Sequence, residues 1–394
     1  MALLQVGQES KEVKIIVSTI AEIEHLFSTL CDLKSRGLSI DVLYGVPLPP
    51  SQVRRLAELS RLLGSGTITL LLDHPSQLDA VEQLHHLAQS PCPVFLKIDT
   101  GYHRAGLPPN ALNKAGLLER VAQLEANGVV TLKGLYSHTS LSYAGTTPTQ
   151  AMDFLASEIN GCVRAFEQNR QYLSRNPELV ISVGASPQVT SIQNLADSQD
   201  AADIEATKLR KALQDVSSLA SAGFQAKLEL HAGVYSVMDM QQLATQSRSS
   251  IGKEEDEIAI FVMAEVISVY NSGERQVPEA LLAVGTLGLG REPCPSYSGW
   301  ATVGSLPNLS ENASQRRLIV SRISQEHSII SWETTTEDAV ADLPDIPVQV
   351  GQSLRLYPNH ACVTGAMYDW FLVVDSTAAN PNEISDVWVR ASGW

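Results

Sequence analysis

Seven short apolar runs, separated by amphipathic segments of helical period, constrain this chain more than any other feature. The runs cover residues 14–18, 41–46, 67–73, 94–99, 131–138, 179–184 and 227–235. Between them lie periodic segments at 21–36, 51–63, 76–89, 110–127, 147–172 and 200–222. Strand-length runs alternating with helices predict a parallel sheet covered by helices, because parallel neighbours need long crossover connections. Ser51, Ser76 and Asn110 stand where helices should begin, and Gly37, Gly128 and Gly223 where they should end. A closed (β/α)8 barrel takes eight strands, and Leu3, Leu4, Gln5 and Val6 read as the tail of a helix rather than as another strand. The expected fold class is therefore α/β: a TIM-type barrel lacking its first strand. A doubly wound sheet is the alternative, although no glycine-rich first turn of the dinucleotide kind is present.

After Tyr235 the pattern changes. Residues 241–257 are polar and charged, and then β-type runs dominate at 258–270, 280–284, 317–323, 328–332, 353–357, 368–374 and 387–390. Residues 308–315 and 333–345 read as surface loops. The expectation is a barrel domain over 1–245 and a mostly β domain over 246–394.

Twenty-eight basic against 43 acidic residues leave a net charge of −15, which opposes a nucleic-acid or anionic-membrane partner. No apolar stretch approaches a membrane span, and the amino terminus does not resemble a secretion signal. The five scattered cysteines suggest no disulfide framework. A cytoplasmic protein is expected.

The strand ends concentrate polar chemistry. Lys97, Asp99, His103 and Arg104 follow one apolar run; His138, Ser140, Ser142 and Tyr143 follow another. Gly184, Ala185 and Ser186 follow a third, and His231, Gly233, Tyr235 and Asp239 a fourth. Singly, each fits a structural turn. Together, at the C-terminal face of a barrel, they form a pocket. The Gly184-Ala185-Ser186-Pro187 turn offers backbone N–H groups and a hydroxyl to a phosphate, or is an ordinary strand-to-helix turn. His360 and Cys362, two apart on a segment expected to be extended, would point the same way. They are either a Zn²⁺-binding pair with open coordination positions or a buried thiol beside a structural histidine.

The segments 97–106 (KIDTGYHRAG), 137–143 (SHTSLSY), 182–187 (SVGASP), 231–239 (HAGVYSVMD) and 358–362 (PNHAC) occur in this order. In that order they resemble the eukaryotic-type, zinc-dependent D-serine dehydratases, which are related to D-threonine aldolase and alanine racemase. The resemblance implies a fold-type III pyridoxal 5'-phosphate enzyme that eliminates water from D-serine, giving pyruvate and ammonia. It implies Zn²⁺ on His360 and Cys362. Gly184, Ala185, Ser186 and Tyr235 would lie about the cofactor phosphate, His138 and Tyr143 along its ring, with Asp239 in the same set. Arg104 would orient cofactor or substrate, and Lys97 would support the site. It also implies a homodimer acting on a small D-amino acid. The chain departs from the family in having no segment like RPHVKTHK, which carries the Schiff-base lysine. The expectation is that this exact polypeptide is inactive, either because its start is mis-assigned or because the lysine is lost. A non-catalytic, ligand-binding homologue is one alternative reading, and D-threonine aldolase activity another.

Overall fold

The computed structural model describes residues 2–7, 10–173, 178–197, 204–219, 225–306, 316–334 and 343–393. Two units emerge, one formed by Met1–Ser142, Thr149–Ala232 and Ala391–Trp394, the other by Tyr143–Pro148 and Gly233–Arg390.

The first unit holds seven strands: β1 Glu12–Val17, β2 Ser39–Pro47, β3 Ile68–Leu72, β4 Cys92–Ile98, β5 Val130–Ser137, β6 Glu178–Val183 and β7 Gln225–Leu230. They form one sheet in sequential order, every neighbouring pair parallel. Sequential order without a reversal point excludes the doubly wound alternative. Strands β3 and β4 are buried at every position, as a parallel sheet covered on both faces requires.

The sheet is curled. Lys133 of β5 donates to Asp41 of β2, which also accepts from Thr69 of β3 at 2.7 Å. In a flat sheet β2 and β5 would stand about 14 Å apart, given strand spacings of about 4.8 Å. Lys14 of β1 likewise reaches Glu229 of β7 at 2.7 Å, although these are the outermost strands. Inside the curl Leu43, Leu71, Phe95 and Tyr136 pack as one cluster. Among the described residues β1 and β7 share side-chain contacts but no ladder, so the barrel is not closed by hydrogen bonds.

Local sequence explains the covering helices. Helix Ile20–Ser35 begins with a capping box between Thr19 and Glu22. Helix Val53–Leu63 buries Val53, Leu56, Ala57, Ser60 and Leu63 along one stripe. Three start signals differ from expectation. Ser51 lies in a 3-10 turn, with Gln52 at the N-cap. Ser76 is an N-cap whose hydroxyl meets His74 Nδ1 at 2.8 Å rather than capping the helix; Gln77 instead accepts from the Asp73 and His74 N–H groups. Asn110 sits in a separate 3-10 turn, and its α-helix starts only at Leu117, because the intervening backbone turns left-handed at Ala115. Gly37 and Gly128 follow helix ends with φ of +87° and +72°, where L side chains are strained. Gly223 lies outside the described residues, as do most of the two expected loops.

The second unit is a closed antiparallel barrel of β8 Val262–Tyr270, β9 Glu279–Leu282, β10 Ala301–Val303, β11 Leu318–Ile323, β12 Ser328–Trp332 and β13 Ser353–Pro358. Around it run β10-β11-β12-β9-β8-β13, filled by Val266, Leu282, Val320, Ile330 and Leu356. Strands β14 Trp370–Val374 and β15 Ile384–Val389 form a separate hairpin. No helix among the described residues is long and apolar enough to cross a membrane.

Candidate functional site

Lys97 is the inward-facing residue just before the end of β4, and it is 5% exposed. Its Nζ lies 5.1 Å from the centre of the Tyr136 ring and donates weakly to the Ile98 carbonyl at 3.4 Å. Desolvation lowers its pKa to about 8, against an opposing pull from Glu158. Glu158, 2% exposed, is delivered by helix Pro148–Gln168 and accepts from Gln188 Nε2. Burial raises its carboxyl above the usual range.

Tyr136 stacks on His231, rings 4.6 Å apart and 5° from parallel, and His231 in turn stacks on His138 at 5.5 Å. His138 Nδ1 and His231 Nε2 are 3.3 Å apart. Both rings are held well below the usual histidine range: His138 to about 4, by burial and then by Arg104 and Lys97, and His231 by burial and then by His138 and Lys97. The linkage has a definite sign. Between pH 6.5 and about 4 the unfolded chain binds a proton at residue 138 that the folded chain rejects, so stability falls as pH drops through that window. The full effect of such a shift is about 3 kcal/mol. Glu158, with its raised pKa, contributes the opposite slope, so the effect is read by difference. His138→Gln is expected to flatten the acid limb of a urea-midpoint against pH series, and parallel curves would contradict it.

Gly184 ends β6 with φ of 148°, and a Cβ there would lie 2.2 Å from the His231 carbonyl oxygen. Only glycine lets the ends of β6 and β7 approach this closely. Ala185 and Ser186, each 2% exposed, lead into helix Ser186–Thr190. Arg104 is exposed, its guanidinium 5.2 Å over the Tyr102 ring. Asp99 and His103 belong to the turn itself. Asp99 Oδ1 accepts from the Gly101 and His103 N–H groups, and its Oδ2 meets His103 Nδ1 at 2.8 Å.

Strand β7 stops at Leu230, five residues short of the expected run, and Val234–Ser236 forms a 3-10 turn. Tyr235 (43% exposed) and Asp239 therefore belong to the second unit rather than to a strand end. There Asp239, 1% exposed, caps helix Met240–Ala244. Its Oδ1 accepts from Gln242 N and its Oδ2 from Ala361 N, each at 2.8 Å. Burial raises its carboxyl against these bonds and the nearby His360. The clamp holds the stretch that carries His360 and Cys362.

That stretch is not extended, contrary to expectation. His360 has extended backbone as the N-cap, but Cys362 lies inside helix Ala361–Gly365, so strand alternation does not relate the two side chains. Asn359 forces the turn: Tyr297 donates to its Oδ1, and its Nδ2 donates to the Glu292 and Gly299 carbonyls at 2.8 Å each. His360 Nδ1 is buried without a hydrogen-bond partner, with Glu292 Oε2 3.8 Å away. Cys362 is exposed; desolvation and then Asp239 raise its thiol. Tyr143 shares this environment, its hydroxyl bonded to Gln242 and pushed up to about 12 by burial and Asp239. No cluster of three or more metal-binding side chains occurs among the described residues. A cavity of about 480 Å³ elsewhere in this unit, lined by Met240, Glu254, Arg317 and Trp332, includes neither His360 nor Cys362.

Glu158, Ser182 and Glu229 escaped the sequence reading. Each had a signal: a carboxylate on the apolar face with Leu155, Ile159 and Cys162, and polar residues alternating inward before Gly184 and His231.

The alanine racemase N-terminal domain matches residues 3–200, half of the chain, and the "Putative serine dehydratase domain" matches 259–374. The D-serine dehydratase of Schizosaccharomyces pombe is 30% identical over 100% of this chain and 82% of its own length. The chain belongs to the D-serine dehydratase family. The Saccharomyces cerevisiae D-serine dehydratase is 27% identical over 96% of the chain and 81% of its own length. The solved D-threo-3-hydroxyaspartate dehydratase from Delftia sp. HT23 shares the fold, with a TM-score of 0.67 at 24% identity, covering 96% of this chain and 84% of that one. One solved form of that protein is described as metal-free. This agrees with the family resemblance and with the expected fold class of a seven-strand racemase-type barrel plus a β unit.

Proposed function

We infer that the chain is a D-serine dehydratase-type lyase, built for the pyridoxal-phosphate- and zinc-dependent conversion of D-serine to pyruvate and ammonia, and that this exact polypeptide is inactive because it holds no segment with the Schiff-base lysine. The observation that carries this reading is family membership along the entire chain, at 30% identity to a D-serine dehydratase. The residues fit both groups. At the end of β6 the Gly184 cradle, which a Cβ would fill, leads to Ala185 and Ser186, suited to a phosphate. In the second unit the orphaned His360 Nδ1 and the Cys362 thiol are the nitrogen and sulfur donors that Zn²⁺ prefers.

When bound, pyridoxal phosphate supplies an electron sink and Zn²⁺ a Lewis acid for the departing hydroxyl. The chain does the rest. His138, neutral at physiological pH, accepts a proton without having to shed one first. Arg104 supplies a fixed positive charge for a carboxylate, and Lys97 a buried amine that raises the field at the strand ends. Tyr143, Tyr235 and Asp239 complete the proposed set, with Asp239 acting by position. No described lysine is assigned the Schiff-base role: Lys14 is held by Glu229, and Lys97 is enclosed. The exposed apolar face of the β14–β15 hairpin, with Trp370, Leu372, Val387 and Val389, supports a second copy of the chain as partner.

The test is product analysis on protein supplied with pyridoxal phosphate and Zn²⁺. This exact polypeptide is expected to release no pyruvate from D-serine, and a version extended by a segment with the Schiff-base lysine is expected to release it. Oxaloacetate from D-threo-3-hydroxyaspartate alone would move the substrate within the same reaction class. Glycine and acetaldehyde from D-threonine would assign an aldolase instead, and cofactor binding without turnover by the extended version would make the chain a non-catalytic homologue.

A further inference from the structure

Five side chains form a continuous polar chain along the curled sheet, from the exposed Lys14 to the mostly buried His138. Lys14 Nζ donates to Glu229 Oε2 at 2.7 Å, and Ser182 Oγ donates to Glu229 Oε1 at 2.9 Å. Ser182 Oγ also meets His231 Nδ1 at 3.1 Å, and His231 Nε2 meets His138 Nδ1 at 3.3 Å. The contacts come from β1, β7, β6 and the residues just after β7 and β5. We propose that Glu229, Ser182 and His231 make this chain directional, fixing His138 as the Nδ1–H tautomer and leaving its Nε2 as a proton acceptor.

The direction follows from counting hydrogens. A carboxylate paired with lysine only accepts. Ser182 has one hydrogen, and the carboxylate takes it, so the hydroxyl can only accept from His231. A neutral His231 that donates through Nδ1 has a lone pair on Nε2. His138 must then donate through Nδ1, and its own lone pair stands on Nε2. Burial first, and then the surrounding charges, keep both rings neutral: Arg104 and Lys97 act on His138, and His138 and Lys97 on His231. Tyr136, stacked on His231, fixes the plane in which this donation occurs. The Gly184 backbone lies against both rings and competes for the same hydrogens, which makes the reversed chain the concrete alternative. Glu229, Ser182 and His231 are thus positioning residues, acting through His138. Their use in catalysis rests on the lyase reading, whereas the tautomer does not.

The experiment is long-range ¹H–¹⁵N correlation on full-length protein labelled with ¹⁵N-histidine, with His138→Gln assigning the residue 138 signals. The wild type is expected to show a protonated Nδ1 and an unprotonated Nε2 at His138. Glu229→Gln introduces a donor at the foot of the chain, and Ser182→Ala cuts it, so the preference should invert or disappear in both while the fold persists. An Nε2–H form in the wild type overturns the proposal, as does an unchanged His138 spectrum in either variant. Where one variant does not fold, the other decides. A second readout separates the two readings. If D-serine is turned over, Glu229→Gln should lower kcat about 10–100-fold, the range typical of residues behind a reacting group, with KM little changed. No pyruvate from a version extended to carry the Schiff-base lysine sinks the lyase reading and leaves the tautomer result standing.

Discussion

Cys362→Ala is expected to release the metal and, in a version extended to carry the Schiff-base lysine, to reduce D-serine elimination by about 100-fold or more, because a Lewis acid contributes several kcal/mol and each 1.36 kcal/mol is a factor of ten. Stability should hardly change, because Cys362 is exposed on a five-residue helix. His360→Ala should produce the same loss, and the double variant little more, since two donors to one ion act as a unit. Metal content after dialysis is the deciding measurement, and retention of a full equivalent by Cys362→Ala removes the thiol as a ligand. Asp239→Ala separates positioning from ligation. It should lose metal and also destabilise the protein by about 2–3 kcal/mol, since it strands two buried N–H groups at Gln242 and Ala361.

Gly134→Ala is expected to be the most destabilising single-methyl change in the barrel. An added Cβ would sit 1.9 Å from the Val180 carbonyl oxygen, a backbone atom of β6 that cannot swing aside, and φ there is 151°. Overpacking costs about 1–3 kcal/mol and a strained φ about 1–3 more, so a loss of about 3 kcal/mol or greater is expected. At about 2.1 cal/mol/K of unfolding entropy per residue, a chain of 394 residues moves by about 1.2 °C per kcal/mol, so thermal unfolding should move down by roughly 4 °C. Gly128→Ala is the control: its φ is +72° but nothing lies within 4 Å, so only the backbone cost of about 1–2 kcal/mol applies. Equal shifts for the two variants would mean that β5 and β6 are not packed as described.

The reason for Gly134 also shows why part of the site was illegible in sequence. Phe95 pairs with Gly134 while Val94 pairs with Leu132, so Lys133 is an extra residue in β5. This bulge lets Lys133 reach Asp41, and it sits beside a pairing partner that sequence periodicity does not name. The same limit applies at residues 358–362. Alternation along an extended segment is a local rule, and it failed because Asn359 bonds to Glu292 and Gly299, residues distant in sequence, and turns the chain into a helix. Strand β7 was read too long for a related reason: apolar content continues through Val234, but its hydrogen-bonding partner β6 ends at Val183.

What the sequence determined alone was the order of elements and the end of the sheet where polar residues collect. Periods of two and 3.6 are local, and apolar burial follows them directly. It also carried the family, through five short motifs in a fixed order. Tertiary structure decided which of those polar residues meet. Lys97 faces Tyr136, Glu158 enters from a helix about sixty residues further along the chain, and Glu229 is tied through Ser182 and His231 to His138. These contacts depend on the curl that brings β1 near β7 and β2 near β5, a property of the twisted sheet as a whole that no single strand encodes.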